Sequence, residues 1–529
     1  MRDFHLPGRS TVHSLNGMCA TSQPLAAEAA ISILKSGGNA VDAAVAASAV
    51  LCVVEPYSTG IGGDCFVLLS KKGGSEIVGL NGSGRAPKAA HVDWFLERGI
   101  AEIGLSSVHS VTIPGAIDAW EKLLADHGTM ELGRVLEPAI RFAEDGFPLS
   151  PRIATDWGLL ARRLEKDEGA RRHYLIDGRA PRLGEIFKSP ALAKTLRLIA
   201  AQGRKGFYEG PVAEDMVATL KAKGGLHTLE DFAATKANYV EPVRTLYRGR
   251  EIVEIPPNGQ GITALVMLNI LERFGLSGLD PNGAERHHIE AEASRLAFEV
   301  RDRHVADPDF RSVPVEHMLS GRLADELAAR IDPDRALGDV KAAAGPVYRD
   351  TVYLTVVDRD RNAVSFINSL YFGFGSAIVA PESGVTFQNR GSGFMIDAAH
   401  PNCIEGGKRP LHTIIPGMML EGGRATMPFG VMGGAYQPVG HAHFVSNLVD
   451  YGMDVQEAID NPRSFHVSGR MEVERGVPRT TREGLTALGH EVAEAFLPWG
   501  GGQAILIDWK EGGLVGGSDA RKDGAAIGY

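Results

Sequence analysis

The chain has 529 residues, of which 44% are hydrophobic and 23% are charged, and 55 Lys and Arg against 65 Asp and Glu give it a net charge of −10. This is the balance of an ordinary globular protein with enough apolar residues for a large core. The mild acidity and the lack of any basic run exclude a nucleic-acid-binding protein. The four cysteines lie far apart without a CxxC pair, so neither a zinc knuckle nor a disulfide framework is indicated.

The sequence also indicates a cellular location. The first residues, MRDFHLPGRSTVHSLNG, lack the continuous apolar run of a secretory signal. No stretch of about 18 consecutive apolar residues occurs, so we expect no membrane span. Single buried thiols suit a reducing compartment. We therefore expect a cytoplasmic protein.

Two helices built from small residues open the chain. Residues 25–35 favour a helix that ends at a glycine pair. The next segment, NAVDAAVAASAVLCVVE, begins at Asn39 and is so rich in Ala and Val that it predicts a fully buried helix. Residues 65–69 and 76–80 then form two strand-like runs around the turn KKGGS.

The middle of the chain and its last third differ in character. Residues 134–306 favour helices, with one strand-like interruption at REIVEIP. From Thr351 the segment TVYLTVV has β-branched residues at most positions, which indicates a strand, and residues 363–372 form the return strand. Further strand-like runs, separated by Gly and Pro, are PGMMLEGG, ATMPFGVMGG and QAILID. Strands in both halves and many helices predict a layered α/β sandwich.

Few residues offer nucleophilic or metal chemistry on their pattern alone. No GxSxG elbow, P-loop, GxGxxG or HEXXH occurs. His287 and His288 point in different directions on their helix and His304 lies far along it, so we expect no metal site. Thr351 follows the loop-like AAAGPVYRD at the start of a strand. Such a threonine becomes a nucleophile when self-cleavage after Asp350 makes its own α-amine the base, although most threonines in this position are plain strand residues.

Six short motifs occur in order along nearly the whole chain: ILKSGGNAVDAAVAASAV, STGIGGDCF, VTIPGAIDAW, ADPDF, KRPLHTIIP and GVMGGAYQP. Between the fourth and the fifth lies the longer segment DTVYLTVVDRDRNAVSFINSLYFGFGSAIVAPESGVTFQNR. Together they resemble the γ-glutamyltranspeptidase family of N-terminal-nucleophile hydrolases, and the long segment, the most specific, resembles the region that begins with the family's catalytic threonine. The resemblance implies the four-layer αββα sandwich. It also implies cleavage between Asp350 and Thr351 into a large fragment, 1–350, and a small fragment, 351–529, which together form one domain.

The resemblance also implies roles for four residues. Thr351 aligns with the nucleophile, and Ser369 on the partner strand aligns with a hydroxyl residue that hydrogen-bonds it. Gly433 and Gly434 align with a glycine pair whose backbone N–H groups form the oxyanion hole, an arrangement that stabilises a tetrahedral intermediate. Without the resemblance, Ser369 would be an ordinary strand serine and the glycine pair a turn. No metal or organic cofactor is implied.

The positions that hold a glutamyl head group in the family differ here. Ser83 replaces an arginine that grips the α-carboxylate, and Gly393 replaces an aspartate that holds the α-amino group. Tyr371 replaces an asparagine, and a serine pair becomes His412-Thr413. A buried site that has lost its partner for an ammonium group should not bind one well.

These differences predict a small amide with a neighbouring carboxylate as the substrate. The chain resembles the oxamate amidohydrolase branch of the family, which serves purine-nitrogen catabolism, so we expect oxamate to be hydrolysed to oxalate and ammonia. Arg85 or His412 would supply the positive charge for the carboxylate, and Tyr371 and Thr413 would line the pocket. The alternative for Arg85 is a structural ion pair or a solvated side chain.

Two other functions stay open at this stage. One is a γ-glutamyl hydrolase or transferase that acts on glutathione-like substrates, or a related acylase. The other, from a different class, is an unprocessed and non-catalytic binding protein. The expected partners are a small-molecule amide, no nucleic acid and no membrane. The two self-cleaved fragments should stay together, and a dimer of these heterodimers is left open.

Overall fold

The computed structural model describes residue 5, residues 8–338, residue 340 and residues 351–529. Two seven-stranded sheets dominate it. The first sheet contains, from edge to edge, Val12–Ser14, Leu514–Ser518, Gly501–Ile507, Arg424–Met432, Gly417–Glu421, Arg250–Glu254 and Val243–Tyr247. The second sheet contains Ala525–Gly528, Met18–Thr21, Val352–Val357, Ala363–Ser369, Asp64–Ser70, Ile77–Gly82 and Asn238–Val240.

The two sheets pack face to face through an apolar layer to which both contribute. Phe66 and Tyr353 from the second sheet lie in one buried cluster with Val253 and Met418 from the first. The close approach depends on Gly430 in the first sheet, because a Cβ there would lie 2.4 Å from a ring carbon of Tyr353. Burial of these side chains is the main stabilising term for such a layer.

Helices cover the outer face of each sheet. Over the second sheet lies Ala40–Val54, whose fifteen residues are all buried and whose N-terminus is closed by a capping box between Asn39 and Asp42. Over the first sheet lie Gly261–Leu271, Ala284–His304 and Gln437–Val449. The predicted four-layer αββα sandwich is therefore confirmed.

Shorter elements complete the described chain, and none of its helices has the length and apolar character needed to cross a membrane. Two small sheets contain Phe147–Pro148 with Ile186–Phe187, and Ser464–Val467 with Arg470–Val473 and Val492–Glu494. The remaining α-helices are Pro24–Lys35, Val92–Leu96, Ala116–His127, Leu132–Asp145, Pro151–Leu164, Glu168–Tyr174, Pro190–Gln202, Lys205–Tyr208, Gly210–Ala222, Leu229–Ala233, Val315–Met318, Gly321–Ala328, Val455–Asp460 and Arg479–Ala487. Short 3₁₀ turns cover Val108–Ser110, Leu276–Gly278, Arg390–Gly393 and Gly434–Tyr436.

The return strand is shorter than the sequence predicts. It ends at Ser369 instead of continuing to residue 372. Tyr371, Phe374 and Ala377 all adopt positive φ angles, of 82°, 57° and 60°. Residues with side chains adopt this region only where the surrounding structure imposes it, and it turns the chain away from the sheet. The strand therefore stops beside the site described below.

Candidate active site

The start of a central strand of the second sheet brings two hydroxyl groups together. Thr351 directly precedes Val352–Val357, which pairs antiparallel with Ala363–Ser369 and places Val352 opposite Asn368. This register puts Thr351 beside Ser369, and their hydroxyl oxygens lie 3.0 Å apart. Both residues are fully buried. The structure thus brings together the two residues that the resemblance assigned to the nucleophile and its partner.

The hydrogen bonds around Ser369 fix the direction of its own proton. The backbone N–H of Tyr371 donates to Ser369 Oγ at 2.9 Å, and Arg390 Nη2 donates to it at 3.5 Å. A serine oxygen has two lone pairs and one proton. Because both of these neighbours are donors, the serine proton is left for Thr351 Oγ1. Ser369 therefore donates to the threonine oxygen, whose own proton can then pass to a base.

Arg390 is a residue of this site that the sequence analysis did not single out. It is the arginine of FQNR, at the end of the segment that follows Thr351, and it begins a short turn and is fully buried. Its Nη1 donates to Thr413 Oγ1 at 2.6 Å, and its guanidinium carbon lies 4.1 Å from the ring centre of Tyr371. The sequence feature that could have identified it is its position, three residues before Gly393, which replaces the family's aspartate. The guanidinium gives this site a positive charge.

His412, which directly precedes Thr413 of this cluster, is a neutral imidazole. Its Nε2–H donates to Asp64 Oδ2 at 2.9 Å, and its Nδ1 accepts a long hydrogen bond, 3.4 Å, from the backbone N–H of Ile414. Burial, reinforced by the positive charge of Arg390, lowers the pKa of His412 to about 4 although Asp64 opposes the shift. We assign the neutral tautomer from these contacts. The proton lies on Nε2, and Nδ1 accepts a hydrogen bond and has none, so the ring carries no positive charge at neutral pH.

The predicted oxyanion glycines follow a central strand of the first sheet. Gly433 has φ +124° and Gly434 has φ +59°. A Cβ on Gly433 would lie in tight contact, 3.1 Å, with the Cα of Gly500, and residues with side chains rarely adopt its φ angle. In the described chain neither backbone N–H donates to a backbone or side-chain acceptor. Gln260 Nε2 donates both to Gly434 O at 3.0 Å and to Thr413 O at 2.8 Å, which ties this turn to the cluster.

A continuous hydrogen-bond network therefore connects four of the predicted site residues through two residues that the sequence analysis did not single out. It begins at the nucleophile candidate and ends at the glycine turn. All its members are buried. In order they are Thr351, Ser369, Arg390, Thr413, Gln260 and Gly434.

Arg85 lies outside this network. Its guanidinium is about one-third exposed and pairs with Asp309 at 2.9 Å and with Asp307 at 3.5 Å, and it also donates to Gly407 O at 3.0 Å. These contacts correspond to the structural ion pair that the sequence left open, and its role as a substrate ligand stays a prediction. Asp350, the other side of the predicted cleavage site, lies outside the described residues.

The residues that replace the family's charged ligands for a glutamyl head group bring no charge into the site. Ser83 is buried and donates from its hydroxyl to Asn81 Oδ1 at 2.7 Å. Gly393 ends the short turn that Arg390 begins. Asp397, the next carboxylate along the chain, is exposed and accepts from the backbone N–H of Ala399.

One group of described residues has metal-ligand chemistry, and it does not contact this network. His288 Nδ1 lies 2.8 Å from His490 Nε2, and Glu292 completes a group whose ligand atoms all lie within 4.8 Å of one another. Arg295 Nη1 donates to both carboxylate oxygens of Glu292, at 3.0 and 3.1 Å. A guanidinium at this position opposes a cation, so these contacts describe a hydrogen-bonded structural cluster.

Comparisons with known proteins identify the family to which the chain belongs. The model of the gamma-glutamyltranspeptidase family matches residues 26–529. A glutathione hydrolase-like proenzyme of Bacillus subtilis is 39% identical, with 97% of this chain and 98% of that protein covered. An oxamate amidohydrolase proenzyme of Klebsiella pneumoniae is 33% identical, with 98% and 99% covered. The crystal structure of a cephalosporin acylase from Bacillus halodurans superposes with a TM-score of 0.93 at 39% identity, covering 100% of this chain and 99% of that one. The chain therefore belongs to the γ-glutamyltranspeptidase family of amidohydrolases.

Proposed function

We propose that this protein is a proenzyme that cuts its own backbone between Asp350 and Thr351 and then uses Thr351 as an N-terminal nucleophile. Its products are a large fragment, 1–350, and a small fragment, 351–529. The observation that carries the proposal is the pair of buried hydroxyl groups of Thr351 and Ser369, 3.0 Å apart at the start of a central strand. The alignment with a family of proenzymes supports it further.

The same hydroxyl group serves both reactions. In the precursor, Thr351 Oγ attacks the carbonyl carbon of residue 350, the peptide nitrogen leaves as the new α-amine, and water hydrolyses the resulting ester. In the mature enzyme that amine takes the hydroxyl proton while Oγ attacks the substrate amide. The backbone N–H groups of Gly433 and Gly434 stabilise the oxyanion. Collapse expels ammonia with the proton held by the amine, and water then hydrolyses the acyl-enzyme.

As the substrate we propose a small amide that carries a carboxylate, and oxamate first among these. The support is the chemistry of the site. An ammonium group needs a carboxylate partner, and the positions that would hold a glutamyl head group are Ser83 and Gly393. Asp64, a buried carboxylate on the far side of His412, already accepts from that ring, from Gln388 and from the backbone N–H of Gly84. An oxamate amidohydrolase is among the relatives at 33% identity.

A second candidate comes from the comparisons. The relatives that are 39% identical are a glutathione hydrolase-like proenzyme and a cephalosporin acylase. A γ-glutamyl hydrolase or transferase, or an acylase with a larger acyl group, would use the same nucleophile and oxyanion donors. An unprocessed binding protein is the candidate from another class. We keep the cytoplasm as the expected location, and a dimer of the two-fragment unit stays open.

Intact mass spectrometry combined with substrate turnover tests the proposal. We expect two fragments that meet between residues 350 and 351. We also expect ammonia release from oxamate but no release of the aniline from a γ-glutamyl anilide. Thr351→Val should remain a single, inactive chain. Thr355→Val is the matched control, because Thr355 is a buried threonine of the same strand whose hydroxyl donates to Val364 O.

The outcomes separate the candidates. Cleavage with glutamyl turnover would keep the mechanism and replace the substrate. A wild-type chain that stays intact, or a Thr351→Val chain that is cut like the wild type, would refute the nucleophile. An intact wild-type chain that binds a small molecule without turnover would favour the binding protein.

A further inference from the structure

The site contains a buried positive charge that has no negative partner. Arg390 is fully buried, yet within the described chain it forms no ion pair with any carboxylate. Its Nε–H is also buried and donates to nothing there. An uncompensated buried charge is strongly unfavourable, so proteins rarely keep one without a use.

The surroundings of Arg390 leave most of its donors available. A guanidinium has five N–H groups. In the described chain one donates to Thr413 Oγ1 and another makes the long contact with Ser369 Oγ. The ring face of Tyr371 lies against its plane and fixes its orientation without neutralising it. The remaining donors suit the two oxygens of a carboxylate, which a guanidinium binds in a bidentate manner.

The distance to the nucleophile selects the kind of carboxylate. Arg390 Nη2 lies 3.5 Å from Ser369 Oγ, which lies 3.0 Å from Thr351 Oγ1. The guanidinium is therefore only two hydrogen-bond lengths from the atom that attacks the amide carbon. In oxamate the carboxylate is bonded directly to that carbon, whereas in a γ-glutamyl group three further carbons separate the two. The short distance favours the first arrangement.

We propose that Arg390, together with Thr413 and Tyr371, forms a carboxylate-binding site that restricts the enzyme to amides whose carbonyl carbon carries the carboxylate itself. This inference rests on the proposed function of Thr351 as nucleophile. Arg390 then touches the substrate and determines specificity. Asp64 and His412 act as positioning residues, because His412 directly precedes Thr413 and its ring is held by Asp64 Oδ2.

The test compares a charged substrate with its neutral analogue. Processed wild-type enzyme and the variants Arg390→Lys and Arg390→Met are assayed with oxamate and with ethyl oxamate, which has the same amide but no carboxylate. We expect Arg390→Met to lose roughly 100-fold or more in kcat/KM for oxamate and less than about fivefold for ethyl oxamate. Arg390→Lys should lie between the two for oxamate, because it keeps the charge but not the fork. Arg322→Gln, an exposed change of the same charge, should match the wild type.

Inhibition of the unmodified enzyme provides a second measurement if a variant fails to fold or to cut itself. Oxalate should compete with the substrate far better than glutamate does, and the preference for oxalate should weaken as salt rises. Equal losses on oxamate and ethyl oxamate, or no preference for oxalate, would overturn the carboxylate site while leaving the nucleophile intact. Cleaved wild-type enzyme that hydrolyses γ-glutamyl amides and not oxamate would overturn both the substrate and this site.

Discussion

Removing the hydroxyl group of Ser369 tests the direction of the proton that we derived for it. In Ser369→Ala the Thr351 oxygen loses its donor at 3.0 Å, and the N–H of Tyr371 and one N–H of Arg390 lose their acceptor. A hydrogen bond to an oxygen that gains charge contributes about 1–3 kcal/mol, which corresponds to a slowing of about 5- to 150-fold. Because the same oxygen attacks in both of the proposed reactions, self-cleavage and turnover should slow together. Self-cleavage is measured by intact mass spectrometry at successive times after translation. Turnover is measured as the rate of ammonia release per cleaved chain.

Two variants control for damage to the fold. Ser369→Thr keeps the hydroxyl group and should keep most of both activities. Ser365→Ala removes another buried serine hydroxyl of the same strand, one that bonds Tyr353 OH at 2.7 Å, and should cost stability without slowing either reaction. If Ser369→Ala cut itself and turned over as fast as Ser365→Ala, Ser369 would not be the donor.

Three further predictions concern the glycine turn, acid stability and a helix cap. Gly433→Ala should lower turnover by about 10²–10³-fold, because φ +124° and the tight 3.1 Å approach to Gly500 would strain a residue with a Cβ and displace the oxyanion donors. Gly452→Ala, at φ +63° in open space, is the control and should keep its activity. Folding lowers the pKa of His412 from 6.5 to about 4, so between these two pH values the unfolded chain binds a proton at this residue that the folded chain does not. The free energy of unfolding is therefore unaffected by His412 above pH 6.5 and falls by up to about 3 kcal/mol as the pH falls toward 4. Thermal melts of His412→Gln should therefore depend less on pH in this window than wild-type melts, and parallel curves would contradict the assignment. Asp42→Ala removes the acceptor of four hydrogen-bond donors at the start of a buried helix and should lower the free energy of unfolding by about 2–4 kcal/mol in urea, with normal turnover per cut chain.

The parts of the fold that the sequence predicts are those with local signals. The Ala- and Val-rich segment after Asn39 predicts a buried helix, and Ala40–Val54 is one. The alternation of strand and turn after Thr351 predicts the strand pair of the second sheet. The strands Val243–Tyr247 and Ala525–Gly528 are not predicted by the sequence. The first is polar and partly exposed, and the second is short and has a glycine before it and at its end. Neighbouring strands, not their own residues, determine these two.

The candidate site likewise contains residues that the sequence predicts and residues that only contacts between distant segments reveal. Resemblance placed Thr351, Ser369 and the glycine pair, and the register of one strand pair explains why the first two meet. The choice of Arg85 and His412 as charge donors relied on residue type, which does not reveal that Arg85 has acidic partners and that His412 is neutral. Arg390 lies 39 residues after Thr351, and no periodicity links the two. Its contact with Ser369 arises only when the loop folds back on the strand.

Both sides of the proposed cut supply this site, and the sheet explains how they stay in register. The fragment before residue 351 contributes Gln260, and the fragment after it contributes the nucleophile, its partner and the glycine turn. The strand Val352–Val357 is hydrogen-bonded along one edge to Met18–Thr21 and along the other to Ala363–Ser369. Breaking one peptide bond before this strand removes none of these ladder bonds. In the proposed mechanism the new α-amine would therefore form on a strand that is already fixed on both sides, beside the hydroxyl group whose proton it would take.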